Sequence, residues 1–284
     1  MKYCATTVAL PQMDMRETAE LLSRLKFDGA EWRVRRIPEA QKGKPYSPWG
    51  NHKNDLSPDN LKARADELVA TGKACGLAIA GLATGVQADQ LDDIRLLAEG
   101  AAACEAPFFR VGAPRGYDRT TNYNDLYDEA VRAYEKALEI TRTYGVRVVI
   151  EIHGGTIMVS ASLAHRIVSQ FDPKDIGVIY DTNNMTREGF ETYRMGMELL
   201  GPYLAHSHVG NHTPKPKKTL ADGTVEWAWE GASLAAGLTN YPQVMADLKA
   251  VGFDGFISIE DFREMDAEEK LREGLEYLKG LENA

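Results

Sequence analysis

The 284-residue sequence lacks several features that would define its class at once. It has only three cysteines, Cys4, Cys75 and Cys104, and no Cys-x-x-Cys pair. It therefore predicts neither a disulfide framework nor a thiolate zinc site. No apolar run approaches the ~18 residues of a membrane span. The N-terminal stretch lacks the charged, apolar and cleavage regions of a signal peptide. We expect a cytoplasmic protein that does not interact with a membrane.

The sequence also lacks an excess of positive charge. Its 33 Lys and Arg residues are outnumbered by 42 Asp and Glu, and the formal net charge is −9. Binding to nucleic acid needs a basic face, so this balance argues against nucleic acid as a partner. A serine nucleophile elbow, a Walker loop and a dinucleotide fingerprint are all missing, which argues against three large classes of enzymes.

What the sequence does contain is a regular alternation of short apolar runs with longer amphipathic stretches. This alternation is typical of an α/β fold with a parallel sheet. The length is close to the ~250 residues of a (β/α)₈ TIM barrel. We therefore predict a single barrel domain over residues 1–284, with strands at 2–10, 29–34, 76–84, 108–113, 147–154, 176–182, 203–210 and 255–262.

Two long connections interrupt this pattern. Residues 35–57 follow the second predicted strand, and residues 211–239 follow the seventh. Long connections in a compact domain are usually lids or binding loops. Both follow strand C-termini, the end of a barrel that carries the active site. A shorter signal, Ser-Pro-Asp-Asn at 57–60, predicts the start of a helix.

Four polar residues stand at the late ends of consecutive apolar strands: Glu151, Asp181, His208 and Glu260. In a closed barrel these ends converge, and clustered carboxylates would repel one another unless a cation neutralised them. Oxygen ligands with one imidazole favour Mn²⁺, with Mg²⁺, Co²⁺ or Zn²⁺ as alternatives. Taken singly, each residue could instead cap a helix or form a salt bridge.

Further candidates lie on the same strands and loops. Strand side chains alternate, so His153 points the same way as Glu151 and is a candidate substrate ligand. Trp32 and Trp229 could stack on a sugar ring, although ordinary packing is an equal alternative. Arg33 is a candidate substrate contact as well. Buried charges must be paired, so the alternative for Arg33 is an ion pair inside the barrel.

The motifs Ile-Glu-Ile-His-Gly (150–154), Ile-Tyr-Asp-Thr-Asn-Asn-Met (179–185) and Ala-His-Ser-His-Val-Gly (205–210) resemble those of the xylose isomerase-like barrels. These sugar phosphate isomerases/epimerases include ketose 3-epimerases and inosose dehydratases. The resemblance implies that Glu151, Asp181, His208 and Glu260 are metal ligands. It also implies that the two glutamates take and return a proton next to a carbonyl.

Two positions depart from the pattern of the epimerases. Asn184 stands where those enzymes commonly have a histidine that contacts substrate, and Asn211 stands where they tend to have a glutamate. We keep Asn184 as a candidate substrate contact. The leading hypothesis is a metal-dependent isomerase or epimerase of a keto sugar. The alternatives are a lyase or dehydratase on a keto-sugar, keto-inositol or 3-keto-glycoside, and a non-catalytic sugar-binding subunit. We expect a small carbohydrate substrate and a homo-oligomer.

Overall fold

The computed structural model describes residues 1–283 and contains a closed barrel of eight parallel strands. Going around the barrel, the strands follow one another in sequence order, and the first barrel strand pairs with both the second and the last. The predicted single-barrel fold is confirmed. The barrel strands are β1 (Lys2–Thr6), β2 (Gly29–Val34), β3 (Ala78–Thr84), β4 (Phe108–Arg110), β5 (Arg147–Glu151), β6 (Ile176–Asp181), β7 (Leu204–Val209) and β10 (Phe256–Ile259).

Nine helices of the described residues surround or cap this barrel. They bury apolar stripes against the outer faces of the strands, as in α4, where Leu126, Ala130 and Ala137 are buried. Their bounds are α1 (Met15–Leu25), α2 (Ala65–Cys75), α3 (Leu91–Ala103), α4 (Tyr123–Tyr144), α5 (Ala161–Val168), α6 (Thr182–Glu188), α7 (Tyr193–Leu200), α8 (Tyr241–Ala250) and α9 (Ala267–Asn283).

Local signals in the sequence explain where several helices begin and end. Asp14 precedes α1 and accepts a hydrogen bond from the Glu17 backbone N–H, while the Glu17 side chain accepts one from the Asp14 backbone N–H. This reciprocal capping box satisfies two free N–H groups. At the C-terminal end of α4, Gly145 adopts φ +66°, a left-handed conformation that glycine takes without steric cost.

Three sequence expectations need correction. The first strand ends at Thr6 rather than at residue 10, because a 3₁₀ turn follows at Thr7–Ala9. The Ser-Pro-Asp-Asn stretch forms turns, and α2 begins only at Ala65, because the Asn60 side chain accepts from the Ser57 backbone N–H and closes a separate loop. The connection 211–239 is not structureless: it contains an antiparallel hairpin of β8 (Asn211–Thr219) and β9 (Val225–Ala232).

Inside the barrel, a small apolar layer fills the space below the C-terminal ends of the strands. It consists of Phe108, Val149 and Ile179, which form a cluster separate from the main core between strands and helices. The Phe108 ring lies edge-on to the imidazole of His206, with ring centroids 5.2 Å apart. The charged side chains at the mouth of the barrel therefore lie on a packed apolar layer, the floor of the site.

Among the helices of residues 1–283, none is both long and apolar enough to cross a membrane.

Candidate metal centre

Three carboxylates and one imidazole converge at the mouth of the barrel. Glu151 is the last residue of β5, Asp181 is the last of β6, and Glu260 directly follows β10. His208 lies next to Asp181 in the pairing of β6 with β7. The parallel register therefore brings the four predicted metal ligands to one level, since strand ends of a closed barrel meet at its mouth.

The distances between these side chains fit a single cation. One ligand atom from each of the four residues lies within 4.8 Å of the others. The Nδ1 atom of His208 lies 3.1 Å from Glu151 Oε1, 3.4 Å from Glu260 Oε1 and 3.7 Å from Asp181 Oδ2. Three carboxylates around one imidazole form an oxygen-rich donor set of the kind that divalent metals bind. The arrangement thus fits the divalent metal that the sequence implies.

The other nitrogen of His208 faces Glu31. His208 Nε2 lies 3.1 Å from Glu31 Oε2, and the Ser258 hydroxyl donates to the same oxygen over 2.7 Å. Glu31 is fully buried. A metal-binding histidine usually donates its second N–H to a carboxylate, which fixes the tautomer and the orientation of the ring. Glu31 stands in that position.

Arg110 holds Glu151 from the side of β4. Its Nη1 forms a close ion pair with Glu151 Oε2, and its Nε and Nη2 donate to the Thr84 carbonyl oxygen at 3.0 and 2.7 Å. The guanidinium is thus fixed by β3 while it binds the carboxylate. Glu151 is left with one oxygen, Oε1, directed at His208.

The cluster separates the pKa values of its two glutamates. Burial raises the pKa of Glu151, but the charges of Arg110 and then His208 outweigh it and lower that pKa to about 2. Burial, with the charges of Glu151 and Asp181, raises the pKa of Glu260 to about 8, although His208 opposes this. Carboxylates in one site with opposed pKa shifts are typical of acid–base pairs.

Asn184 is close to the site but bonded to a candidate ligand. Its backbone N–H donates to Asp181 Oδ1 and its Nδ2 donates to Asp181 Oδ2, both over 2.7 Å. The side chain thereby orients Asp181, a role that sequence reasoning did not consider. Asn211, the second position that departs from the epimerase pattern, links the two ends of the hairpin connection. Its Oδ1 accepts from the Thr239 backbone N–H and its Nδ2 donates to the Leu234 carbonyl oxygen.

His153 lies at the wall of the main cavity beside the cluster, as predicted from strand alternation. Its Nδ1 is 2.7 Å from the Gly154 carbonyl oxygen, which directs Nε2 away from that loop. The cavity has a volume of about 560 Å³ and is also lined by Glu151, Arg110 and Trp49. This volume matches pockets that bind small molecules.

Two of the predicted substrate contacts lie elsewhere. Trp32 is 1% exposed and packs in the main core between strands and helices. Its side chain points away from the interior, because its strand neighbours Glu31 and Arg33 point inward. The expectation of a sugar contact at Trp32 is therefore wrong. Trp229 lies half-buried on β9 with the Arg187 guanidinium 5.6 Å from its ring, and it does not line the cavity with Glu151.

Arg33 does point inward, but it does not form the ion pair considered as its alternative. It is 1% exposed, its Nη1 donates to the Arg35 carbonyl oxygen, and its Nε has no hydrogen-bond partner within residues 1–283. Sequence reasoning missed its neighbour Arg35, which lines the main cavity. The available signal was Arg-Val-Arg at 33–35, whose alternation places both arginines on one face.

Comparison with known proteins agrees with this architecture. The sequence profile of the family described as "Xylose isomerase-like TIM barrel" matches residues 19–281. This match covers most of the chain, including all four candidate ligands.

Several solved structures share the fold over nearly the whole chain. The 3-keto-D-glucoside 4-epimerase YcjR from E. coli is 16% identical, with a TM-score of 0.72 and coverage of 99% of both chains. The probable 3-DHS dehydratase AsbF from Bacillus anthracis is 17% identical, with a TM-score of 0.74 over 98% of this chain and 99% of its own. The IOLI protein with a bound zinc atom is 16% identical, with a TM-score of 0.75 over 100% and 98%. At these identities the likeness shows the fold, and this fold serves both epimerases and dehydratases.

Proposed function

Since this chain belongs to the xylose isomerase-like TIM barrel family, we propose that it is a divalent-metal-dependent isomerase or epimerase. The reaction is proton transfer next to the carbonyl of a small keto sugar or related polyol. The observation that carries the proposal is the convergence of Glu151, Asp181, His208 and Glu260 beside a cavity of about 560 Å³. The substrate enters through this cavity.

The four side chains hold the metal, for which Mn²⁺ is the first choice and Mg²⁺, Co²⁺ and Zn²⁺ are alternatives. When bound, the metal polarises the substrate carbonyl and offsets the negative charge that develops on its oxygen. One protein of this fold, the IOLI protein, binds a zinc atom, which supports a metal at this kind of site. For His208 to bind through Nδ1, its proton must lie on Nε2, which donates to Glu31.

Glu151 and Glu260 then move the proton. Glu151 ends β5, and Glu260 follows β10, with β6 and β7 between them in the barrel. In the proposed reaction the two carboxylates approach the reacting carbon from different sides. One removes a proton from one face and the other returns a proton to the opposite face, which inverts that carbon. Arg110 keeps Glu151 ionised and ready to accept the proton.

A second candidate function shares the first half of this reaction. After the proton is removed, loss of a hydroxyl or glycoside from the neighbouring carbon makes the enzyme a lyase or dehydratase. His153 favours this candidate, because it lines the same cavity as Glu151 with its Nδ1 engaged by the Gly154 carbonyl. Because Nδ1–H donates to that carbonyl, Nε2 carries a proton only in the imidazolium form, and in that form it can protonate a departing group. The dehydratase AsbF has the same fold.

One experiment separates these candidates. The Mn²⁺-loaded protein is incubated in D₂O with a panel of ketoses, keto-inositols and 3-keto-glycosides, and the products are followed by NMR. An epimerase places deuterium at the inverted carbon, whereas a lyase gives an enone or releases the aglycone. Product without solvent deuterium, or no reaction with any member of the panel, overturns proton transfer.

Matched variants assign the proton transfer to the cluster. We expect Glu260→Gln to reduce deuterium incorporation by at least ~100-fold, the usual contribution of a general acid or base. Exposed Glu139 on α4 provides the control, since Glu139→Gln changes the same chemical group far from the mouth. Metal content is measured on each sample, so that loss of the proton carrier is distinguished from loss of the metal. Equal activity of the two variants contradicts the assignment.

A further inference from the structure

We propose that Arg33 and Arg35 form a subsite for an oxyanion, so that the preferred substrate carries a carboxylate or phosphate group in addition to its carbonyl. This inference deepens the proposed function and rests on it for the identity of the reacting centre. Two arginines at the barrel mouth form no direct ion pair with a carboxylate within residues 1–283, although the charges of Glu151 and Glu260 reach Arg35 from a distance.

The lack of a partner distinguishes these residues from their neighbours. Arg36 binds both Asp59 and Asp93, Arg110 binds Glu151, and Arg115 binds Glu129. Arg33 makes one side-chain hydrogen bond, to a carbonyl oxygen. The Arg35 guanidinium makes none to the described residues. Buried or half-buried charges are normally paired, because desolvation of an isolated charge is costly.

The desolvation is visible in both side chains. Burial lowers the pKa of Arg33 to about 10, and burial together with the charges of Arg110 and Arg33 lowers that of Arg35 to about 10, although Glu151 and Glu260 oppose this. Both groups remain cationic at neutral pH. The protein thus maintains two positive charges side by side, and their repulsion would be relieved by an anion between or beside them.

The surroundings of Arg35 hold its guanidinium in place. It lies over the Trp49 ring, 5.4 Å from the ring centroid, in a cation–π contact. On its other side is Gly85, where even a Cβ atom would come within 2.6 Å of Arg35 Nη2. Any larger residue at this position would displace the guanidinium from where it lies. A positioned arginine with free N–H groups is well suited to bind a carboxylate or phosphate.

Arg35 also connects the subsite to the candidate metal centre. It lines the cavity of about 560 Å³ together with Glu151 and His153. A second cavity of about 290 Å³ is lined by Arg33 and shares the wall formed by Arg35, Trp49 and Gly85. A substrate whose carbonyl lies near Glu151 can therefore extend its far end to the arginines.

The charges of the mouth leave room for one anion once the cation is bound. When the cation keeps all four buried carboxylates ionised, they carry four negative charges, while the divalent cation and the three arginines carry five positive ones. These groups are Glu31, Glu151, Asp181, Glu260, Arg33, Arg35 and Arg110. The surplus of one positive charge is neutralised by a carboxylate and slightly exceeded by a phosphate dianion.

The test uses three unreactive six-carbon ligands that differ only in the group at C1: D-glucitol, D-gluconate and D-glucitol 1-phosphate. Their binding to the full chain is measured by titration calorimetry with and without Mn²⁺. We expect at least one anionic ligand to bind tenfold or more tightly than D-glucitol, and its affinity to fall with added salt. Preference for gluconate identifies a carboxylate substrate, and preference for the phosphate ester identifies a sugar phosphate.

Variants assign the binding to the two arginines. Arg35→Gln should reduce the affinity for the preferred anion by tenfold to a hundredfold, as expected for charge-assisted hydrogen bonds. It should reduce the affinity for D-glucitol much less. The control is Arg115→Gln, which removes an arginine from the same cavity that Glu129 already neutralises. Equal or undetectable binding of the three ligands overturns the inference. So does an equal loss of affinity in the two variants.

A second measurement does not depend on calorimetry. Arg33→Met removes an unpaired buried charge, so this variant should be at least as heat-stable as the natural protein. The preferred anion should raise the melting temperature of the natural protein and not that of the variant. If the anion raises both melting temperatures equally, Arg33 is not part of the subsite.

The outcomes also separate this inference from the proposed function. Deuterium exchange in neutral ketoses without any preference for anions refutes the oxyanion subsite and leaves the proton-transfer chemistry intact. Anion binding that depends on Arg35, without exchange in any keto substrate, refutes the proposed reaction and leaves the subsite intact.

Discussion

His208 Nε2 lies 3.1 Å from Glu31 Oε2, and this contact joins β7 to β2 across the interior of the barrel. Both residues are fully buried, so the contact is shielded from solvent. Glu31 also accepts the Ser258 hydroxyl hydrogen bond from β10. The carboxylate therefore fixes the imidazole from the side opposite the candidate ligands, and its charge favours the tautomer that leaves Nδ1 free to bind a metal.

Substitution Glu31→Gln should therefore weaken metal binding without removing a ligand. The amide can still meet His208 but carries no charge, and loss of such an outer partner typically costs about 10–100-fold in metal affinity. Mn²⁺ affinity measured by competition with a chelator tests this. Glu282→Gln serves as the control, since Glu282 binds Tyr3 and the N-terminus away from the metal cluster. Unchanged affinity in Glu31→Gln would show that the contact is only structural.

Asn184 gives a second, graded prediction at the same site. Asn184→Ala removes the Nδ2 donor to Asp181 but keeps the backbone donor at 2.7 Å. A hydrogen bond to a charged group is worth about 1.5–3 kcal/mol, so Mn²⁺ affinity should fall by about tenfold to a hundredfold. Asn124→Ala, which breaks a surface contact with Arg166, is the comparison. A change in sugar affinity with no change in metal affinity would instead support the substrate contact expected from the sequence.

The sequence could predict the four candidate ligands because the signal was local. Glu151 and Asp181 each end a mainly apolar strand, His208 stands near the end of β7, and parallel strands bring such positions together. Arg35 carried only the weaker signal of the Arg-Val-Arg alternation at 33–35, and Trp49 does not stand at the end of a strand. They lie in a connection whose shape depends on distant contacts, such as the hydrogen bond from the Arg35 backbone to Leu56. The partner of a buried charge cannot be read from its neighbours in the chain.

The hairpin and Trp32 illustrate two other limits. The β8 stretch contains Pro214 and Pro216, which disfavour a strand in sequence reasoning, yet an isolated two-stranded hairpin has free edges where proline is tolerated. For Trp32, the alternation of side chains along the strand already predicts the direction of the ring. If Glu31 and Arg33 point into the barrel, the residue between them packs against the helices.

His52 predicts how stability depends on pH. Burial, together with the charge of Arg33, lowers the pKa of His52 to about 4, and its Nε2 contacts the Thr7 carbonyl oxygen at 3.1 Å. Between pH 6.5 and 4 the unfolded chain therefore binds more protons at this residue than the folded chain. Stability from this group is fully present above pH 6.5 and is lost as the pH falls toward 4, with an upper limit of about 3 kcal/mol.

Urea unfolding with EDTA at pH 7.0 and pH 4.5 measures this loss without interference from metal binding. The variant His52→Gln keeps a donor for the Thr7 carbonyl but does not titrate. Its free energy of unfolding should decrease less between the two pH values than that of the natural protein. Parallel decreases in the two proteins would rule out His52 as a source of the pH dependence.

Gly81 provides a prediction about the packed floor beneath the candidate metal centre. A Cβ atom there would overlap the ring of Phe108, which is enclosed by Val149 and Ile179. Overpacking of such a site costs about 1–3 kcal/mol. Gly81→Ala should therefore lower the free energy of unfolding by that amount, measured by urea denaturation. In contrast, Gly280→Ala on α9 meets no atom within 4 Å and should stabilise the protein by up to about 1 kcal/mol.

Gly81→Ala also tests whether this apolar floor supports the candidate metal centre above it. The Phe108 ring meets the edge of His206, and the His206 ring lies 5.4 Å from that of His208. A ring displaced by the new methyl group would press along this row toward the candidate ligands, so Mn²⁺ affinity should fall together with stability. Lower stability with unchanged metal affinity would show that the floor holds the barrel together without setting the position of His208.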